Sequence, residues 1–194
     1  MRVASEFFLV PDWSVGWGFR WPAGKRMVKR FVPEALGRDR DRHIFVRSVD
    51  VEHLSPEFPW LTQEIGQGAR DATVLFVNGT CFGFEMRLPR AELGVEDWRT
   101  LSNSDRTHWQ PWALSAPVQD RIAGYMKRLG LRFGRVDFLT GEDLMTFLEV
   151  NPNGQFGWLD EPGEWPLHGA VLAAVLDPAS AVQGGEIVHE VKPI

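Results

Sequence analysis

The sequence predicts an α+β fold in which strands outnumber helices. Three observations lead there. Apolar-rich runs of four to ten residues recur from residue 27 onward, separated by charged or turn-forming segments. Asn78-Gly79 joins two such runs, and this dipeptide is the strongest short signal for a two-residue type I′ hairpin. Only residues 115–130 combine a sustained helical period with signals at both ends.

Taken in order, residues 6–10 read as a strand. The rest of the first 26 residues read as irregular chain, because Trp13, Trp17, Trp21 and the glycines between them break any period. Residues 27–32 and 43–49 are strand-like runs on either side of the charged stretch Arg38-Asp39-Arg40-Asp41-Arg42, and residues 60–65 form a third. Residues 71–77 and 80–87 flank the Asn78-Gly79 turn. Residues 88–114, rich in Pro, Ser, Asn and Trp, read as a long loop with a short helix near Ala91. Ser115 and Pro117 then open a helix, since serine caps well and a first-turn proline loses no helical hydrogen bond. Val118, Ile122, Tyr125, Met126 and Leu129 form its apolar stripe, and Gly130 stands where a left-handed cap belongs. Residues 131–140 and 144–150 read as two strands around Gly141-Glu142-Asp143, residues 166–176 as an apolar helix, and residues 186–191 as a candidate strand.

Composition narrows the function classes. With 194 residues, 44% apolar and 24% charged, the chain is long enough for a core and too apolar for general disorder. A net charge of -5 argues against a basic nucleic-acid coat. Cys81 is the single cysteine, which excludes an internal disulfide and a thiolate zinc site. The longest apolar run, residues 170–176, is far below the roughly 20 residues of a membrane span. No nucleic acid or membrane partner is expected, and a cytoplasmic location is. The five histidines show no ligand spacing, and no nucleophile elbow or Cys–His motif occurs.

The informative segment is 133–155. If its two strands pair antiparallel about Asp143, cross-strand partners have numbers summing to 286, and Asp137 then faces Glu149. Asn151 shares their face by alternation, while Val136, Phe138, Leu148 and Val150 face the core. Directly opposed carboxylates repel, and a divalent cation compensates best. Two carboxylates and an amide are hard oxygen ligands, too few for a calcium cage but suited to magnesium, which keeps waters and phosphates in its shell. The competing reading is a solvent-facing hairpin with merely solvated acids. Asn151-Pro152-Asn153-Gly154-Gln155 weighs against it, because it sets amides and a glycine just beyond the carboxylate.

These residues resemble the carboxyl-terminal half of an ATP-grasp ligase, nearest the branch of graspetide (microviridin-type) peptide ligases and ribosomal-protein glutamate ligases. The likeness rests on Asp137, on Glu149-Val150-Asn151-Pro152 and Trp158, and on Leu129-Gly130-Leu131 before them. Trp60 to Ile65 resembles the hinge strand, and Asp97-Trp98-Arg99 a short motif of the graspetide branch. The resemblance implies ATP and Mg2+ as cofactors, with Asp137, Glu149 and Asn151 holding the metal. It implies phosphate contact by Lys29, adenine contact along the backbone of Gln63, Glu64 and Ile65, and a ribose contact by Asp71. Arg87 (or Arg90) and Asn153 would meet phosphate or substrate. Residues 1–26 would be a lead, 27–66 a partial small lobe and 67–194 a large lobe, without an amino-terminal α/β domain. The implied activity is ligation through an acyl phosphate on a peptide or small carboxylate substrate, with a homo-oligomer or partner subunit supplying the missing lobe. The alternatives are a non-catalytic nucleotide- or peptide-binding module, or an ordinary interaction domain.

Overall fold

In chain order the strands are β1 (Trp13–Trp17), β2 (Lys25–Arg30), β3 (Arg47–Asp50), β4 (Pro59–Gln63), β5 (Arg70–Val77), β6 (Thr80–Met86), β7 (Trp109–Pro111), β8 (Phe133–Thr140) and β9 (Met145–Asn151). The helices are α1 (Arg90–Leu93), α2 (Ala116–Arg128) and α3 (Leu167–Leu176). The structure, a computed structural model, describes residues 1–17, 24–30, 47–54, 59–64, 70–101, 109–141, 144–160 and 167–176, with the main chain alone at Trp17, Lys29, Arg30 and Arg47. The expected strand at 186–191, residues 31–32 and 43–46 of two others, and Ile65 lie outside the described residues.

The strands make two antiparallel sheets, ordered β1-β4-β2-β3 and β7-β6-β5-β8-β9, so the α+β class holds. The larger sheet turns on Asn78 and Gly79, whose φ values of 52° and 100° match a type I′ turn that closes the Val77–Thr80 pair. β5 is buried on both faces, which explains its unbroken apolar run. Ala72, Val74 and Phe76 pack with Val136 and Phe138 under Ile122, Tyr125 and Met126 of α2. Leu75 and Val77 pack on the other side with Phe82, Phe84, Leu159 and Leu167 of α3. The smaller sheet has its own core of Val28, Val51, Leu54 and Trp60.

Several elements differ from the sequence reading. Residues 6–10 are not a strand: Ala4–Glu6 is a 3-10 turn, and Leu9 makes a single parallel bridge to Thr146. Both neighbouring phenylalanines lie against Tyr125 of α2, whereas strand alternation would send them to opposite faces. Phe8 stacks on Phe147 at 5.7 Å and meets Phe138 and Tyr125 edge-on, while Phe7 lies over Gly124. The stretch read as irregular contains β1, which pairs with β4 from Trp13–Gln63 to Trp17–Pro59. In the long loop the short helix is present as α1, but a 3-10 turn at Trp98–Thr100 and the edge strand β7 are additional. Leu129 is exposed at the end of α2 instead of completing its stripe, because Gly130 (φ 69°) already turns the chain. No described helix is long and apolar enough to cross a membrane.

Phe8 ties the leading residues to the core of the larger sheet. Phe8→Ala is expected to lower stability by about 3–5 kcal/mol in denaturant unfolding, the usual cost of a buried phenylalanine. A loss below about 1 kcal/mol would mean that these residues only rest on the sheet.

Candidate active site

β8 and β9 bring Asp137 opposite Glu149 and Arg135 opposite Asn151, as the hairpin arithmetic requires. Past Asp137 the register slips, so that Phe138 faces Phe147 and Leu148 becomes the extra residue of a bulge. The bulge moves Phe147 into the core and turns Leu148 toward the cleft. This corrects the expectation that Leu148 faces the core. The carboxylates keep their positions because the slip begins after them.

Asp137 is held by three hydrogen bonds from two residues. Thr73 Oγ1, opposite it on β5, donates to Oδ1 at 2.6 Å. Arg135 forks onto both oxygens, Nε to Oδ1 at 3.0 Å and Nη2 to Oδ2 at 3.1 Å. Arg135 is itself fixed by Nη1 donating to the Gln155 carbonyl at 2.9 Å and by the Trp158 ring below its guanidinium. Burial raises the Asp137 carboxyl above its ordinary value, with Glu149 adding to the rise and Arg135 and Thr73 opposing it. Gly154 closes this arrangement: a Cβ there would lie 2.4 Å from Arg135 Cβ. The glycine beyond the carboxylate strand therefore admits Arg135.

These side chains form the floor of a cleft that also includes Met27 of β2, Gln63 and Glu64 at the end of β4, and the segment 96–99. Among the described residues, six acids (Glu64, Asp71, Glu96, Asp97, Asp137, Glu149) and three arginines (Arg90, Arg99, Arg135) line it. Each arginine already grips an acid: Arg90 forks onto Asp71, Arg99 onto Asp97, and Arg135 onto Asp137. Hydrogen bonding to Asp97, with the charges of Asp97, Glu149 and Asp137, raises the Arg99 pKa further and keeps it cationic. Trp98 and Trp109 of the cleft wall cluster with Trp158, ring centroids 4.7–5.2 Å apart.

Of the residues expected from sequence, Gln63, Glu64, Asp71, Asp137 and Glu149 line this cleft. Gln63 is 3% exposed and its buried Nε2 has no partner among the described residues. The Glu64 N–H is bonded to the Asp12 carbonyl. Lys29 lies on β2 opposite Leu61. Asn151 sits one strand alternation beyond Glu149, but its Oδ1 accepts the Asn153 N–H at 3.0 Å. Asn153 is exposed, and so is Arg87, which is not among the cleft residues, whereas Arg90 is. Among the described residues no three His, Cys, Asp or Glu side chains gather as a metal cluster. The donor set still fits magnesium: two opposed carboxylates provide hard oxygens, and water and phosphate oxygens complete such a shell. Sequence reasoning gave no role to Thr73, Arg99 or Arg135. An arginine two residues before the aspartate on one strand was a usable signal, since alternation places both on one face.

No protein-family model matches the chain, and no curated protein does. Solved structures do match in fold. The RiPP-associated ATP-grasp ligase of Chryseobacterium gregarium, in complex with ADP and a leader and core peptide, superposes with a TM-score of 0.74 at 19% identity, covering 90% of this chain and 57% of that one. The macrocyclase MdnC of Microcystis aeruginosa, bound with precursor peptide MdnA, gives 0.71 at 23% identity over 92% and 60%. The D-alanine–D-alanine ligase of Bacillus anthracis, complexed with ATP, gives 0.55 at 14% identity over 90% and 60%. The two sheets and their order therefore have the ATP-grasp fold, and the chain spans less than two thirds of the length of these ligases.

Gly154→Ala should drive Arg135 off its position. A stability loss of about 1–3 kcal/mol is expected in chemical denaturation, as for other overpacked sites. A neutral result would show that the turn yields without disturbing Arg135.

Proposed function

We propose that the chain is the nucleotide- and metal-binding portion of an ATP-grasp ligase that joins a substrate carboxylate to an amine or hydroxyl, with a ribosomal peptide as substrate. The observation that supports this reading most is the pairing of Asp137 with Glu149 on the floor of a cleft edged by β2 and β4. Among the described residues, six acids against three arginines make the lining net acidic before any ligand arrives, and each of those arginines is already committed to an acid. A triphosphate enters such a site only with divalent cations.

In this reading Asp137, Glu149 and Asn151 hold Mg2+, which when bound neutralises phosphate charge. Gln63, Glu64 and Ile65 receive the purine, and the Gln63 amide, without a partner among the described residues, gives that end a donor. Asp71, oriented by Arg90, takes the ribose hydroxyls. Lys29 and Arg87 steady phosphates, and Asn153 meets phosphate or substrate. Arg99, fixed by Asp97, offers the substrate carboxylate a counter-charge. A carboxylate oxygen of the substrate attacks the γ-phosphorus and ADP leaves with the bridging oxygen. The amine or hydroxyl then attacks the acyl carbon, loses its proton, and phosphate departs. Chemistry of this kind depends on positioning and charge neutralisation, not on a protein nucleophile. The half-exposed Trp13 and exposed Val15 on β1 are offered as the contact for a second copy or a partner subunit.

Calorimetry with ATP, with and without Mg2+, tests the reading. Wild type is expected to bind ATP only with the metal. Glu149→Gln should keep the fold and weaken Mg2+-dependent binding by roughly tenfold or more, the loss of one charged ligand. Undiminished affinity in that variant would remove the metal assignment. Lys29→Met should weaken ATP more than adenosine, since only ATP offers phosphate charge, and equal losses would make Lys29 a structural strand residue. Binding without any ADP release in the presence of a peptide acceptor would favour the non-catalytic module.

A further inference from the structure

The segment between β6 and residue 101 is tied to both sheets. Near its start, Arg90 of α1 forks onto Asp71 at the beginning of β5, in the larger sheet. Six residues later, Glu96 reaches the smaller sheet. The Ser48 N–H donates to Glu96 Oε2 at 2.7 Å, and the Ser48 hydroxyl donates to Oε1. Ser48 lies on β3, the outer strand of its sheet, so Glu96 satisfies an amide that points away from the ladder. The Ser48 hydroxyl, ahead of the Ser48 amide, Lys25 and Arg90, holds the Glu96 carboxyl below its ordinary value and keeps it a strong acceptor.

The turn after Glu96 is short and stiff. Asp97 accepts the Arg99 N–H at 3.0 Å and the Arg99 guanidinium, and the Thr100 and Leu101 amides bond back to the Asp97 and Trp98 carbonyls. A single 3-10 turn with all these bonds has little slack. A displacement of β3 that Glu96 tracks therefore reaches Trp98 and Arg99, both of which line the cleft.

We propose that Glu96 is a positioning residue: by tying the outer strand of the smaller sheet to the turn that carries Trp98 and Arg99, it makes closure of the cleft on a nucleotide and placement of Arg99 a single event. The proposal rests on the nucleotide reading of the cleft. A merely structural tie would stabilise both sheets without linking their response to a ligand.

Amide hydrogen exchange on the full chain reads this directly, using Mg2+ with ADP as the probe. In Glu96→Ala the Ser48 amide should exchange roughly tenfold faster or more, from the loss of a charge-assisted bond. The Arg99, Thr100 and Leu101 amides should speed up with it. In wild type, Mg2+ and ADP should slow exchange at Ser48 and at Arg99–Leu101 together. In Glu96→Ala, protection should persist on β4 and β5 but vanish at Arg99–Leu101. Glu96→Gln, which keeps one acceptor for the Ser48 amide, should restore part of the coupling. If Arg99–Leu101 still gain their wild-type protection in Glu96→Ala, the proposal is overturned. If nucleotide protects no amide of the wild-type chain, the nucleotide reading fails instead. The tie is then judged by whether Ser48 and Arg99–Leu101 respond together to Glu96→Ala without ligand.

Discussion

Two carboxylates set directly across a sheet from each other repel, and much of this structure is arranged around that repulsion. Asp137 and Glu149 occupy one cross-strand pair. Like charges so placed destabilise a ladder, and burial of Asp137 adds a desolvation cost. The compensation comes from the same strand and its neighbour: Arg135 forks from two residues away and Thr73 donates from β5. Arg135 in turn needs the carbonyl of Gln155, the face of Trp158 and the absence of a side chain at Gly154. The chain from β8 to Trp158 therefore behaves as one unit built to keep an unfavourable charge in place.

The same economy extends along the cleft. Arg90–Asp71, Arg99–Asp97 and Arg135–Asp137 are three forks in which each cation is oriented by an acid before anything binds. Such pairing costs little reorganisation at the moment a ligand arrives. It also limits the attraction that the cleft exerts on an anion, because each of these cations already faces a carboxylate.

The parts legible in the sequence were those fixed by local chemistry. Asn78-Gly79 names its own turn, Gly130 ends α2, and the opposition of Asp137 and Glu149 comes from counting along one hairpin. The illegible parts depend on partners distant in sequence. The bulge at Leu148 arises where the hairpin packs its core, and nothing in residues 144–150 signals the slip. Trp13–Trp17 looks irregular alone because its strand character comes from pairing with β4, some 45 residues on. Phe7 and Phe8 leave the strand pattern because both are needed against α2 and β9. The Arg135 fork was visible in principle, since alternation already placed it beside Asp137. Thr73 was not, because its place depends on β5 lying next to β8.

The bridge from Leu9 to Thr146 has a consequence for how the chain is made. It joins positions separated by 137 residues, and Phe8 has no pocket until both β8 and β9 exist to form one. At translation rates of about 5–20 residues per second, that interval is on the order of 7–27 s. Throughout it, two adjacent phenylalanines stand uncovered beside a strand edge that is still to be made. The nascent protein thus carries a transiently adhesive segment until β9 emerges.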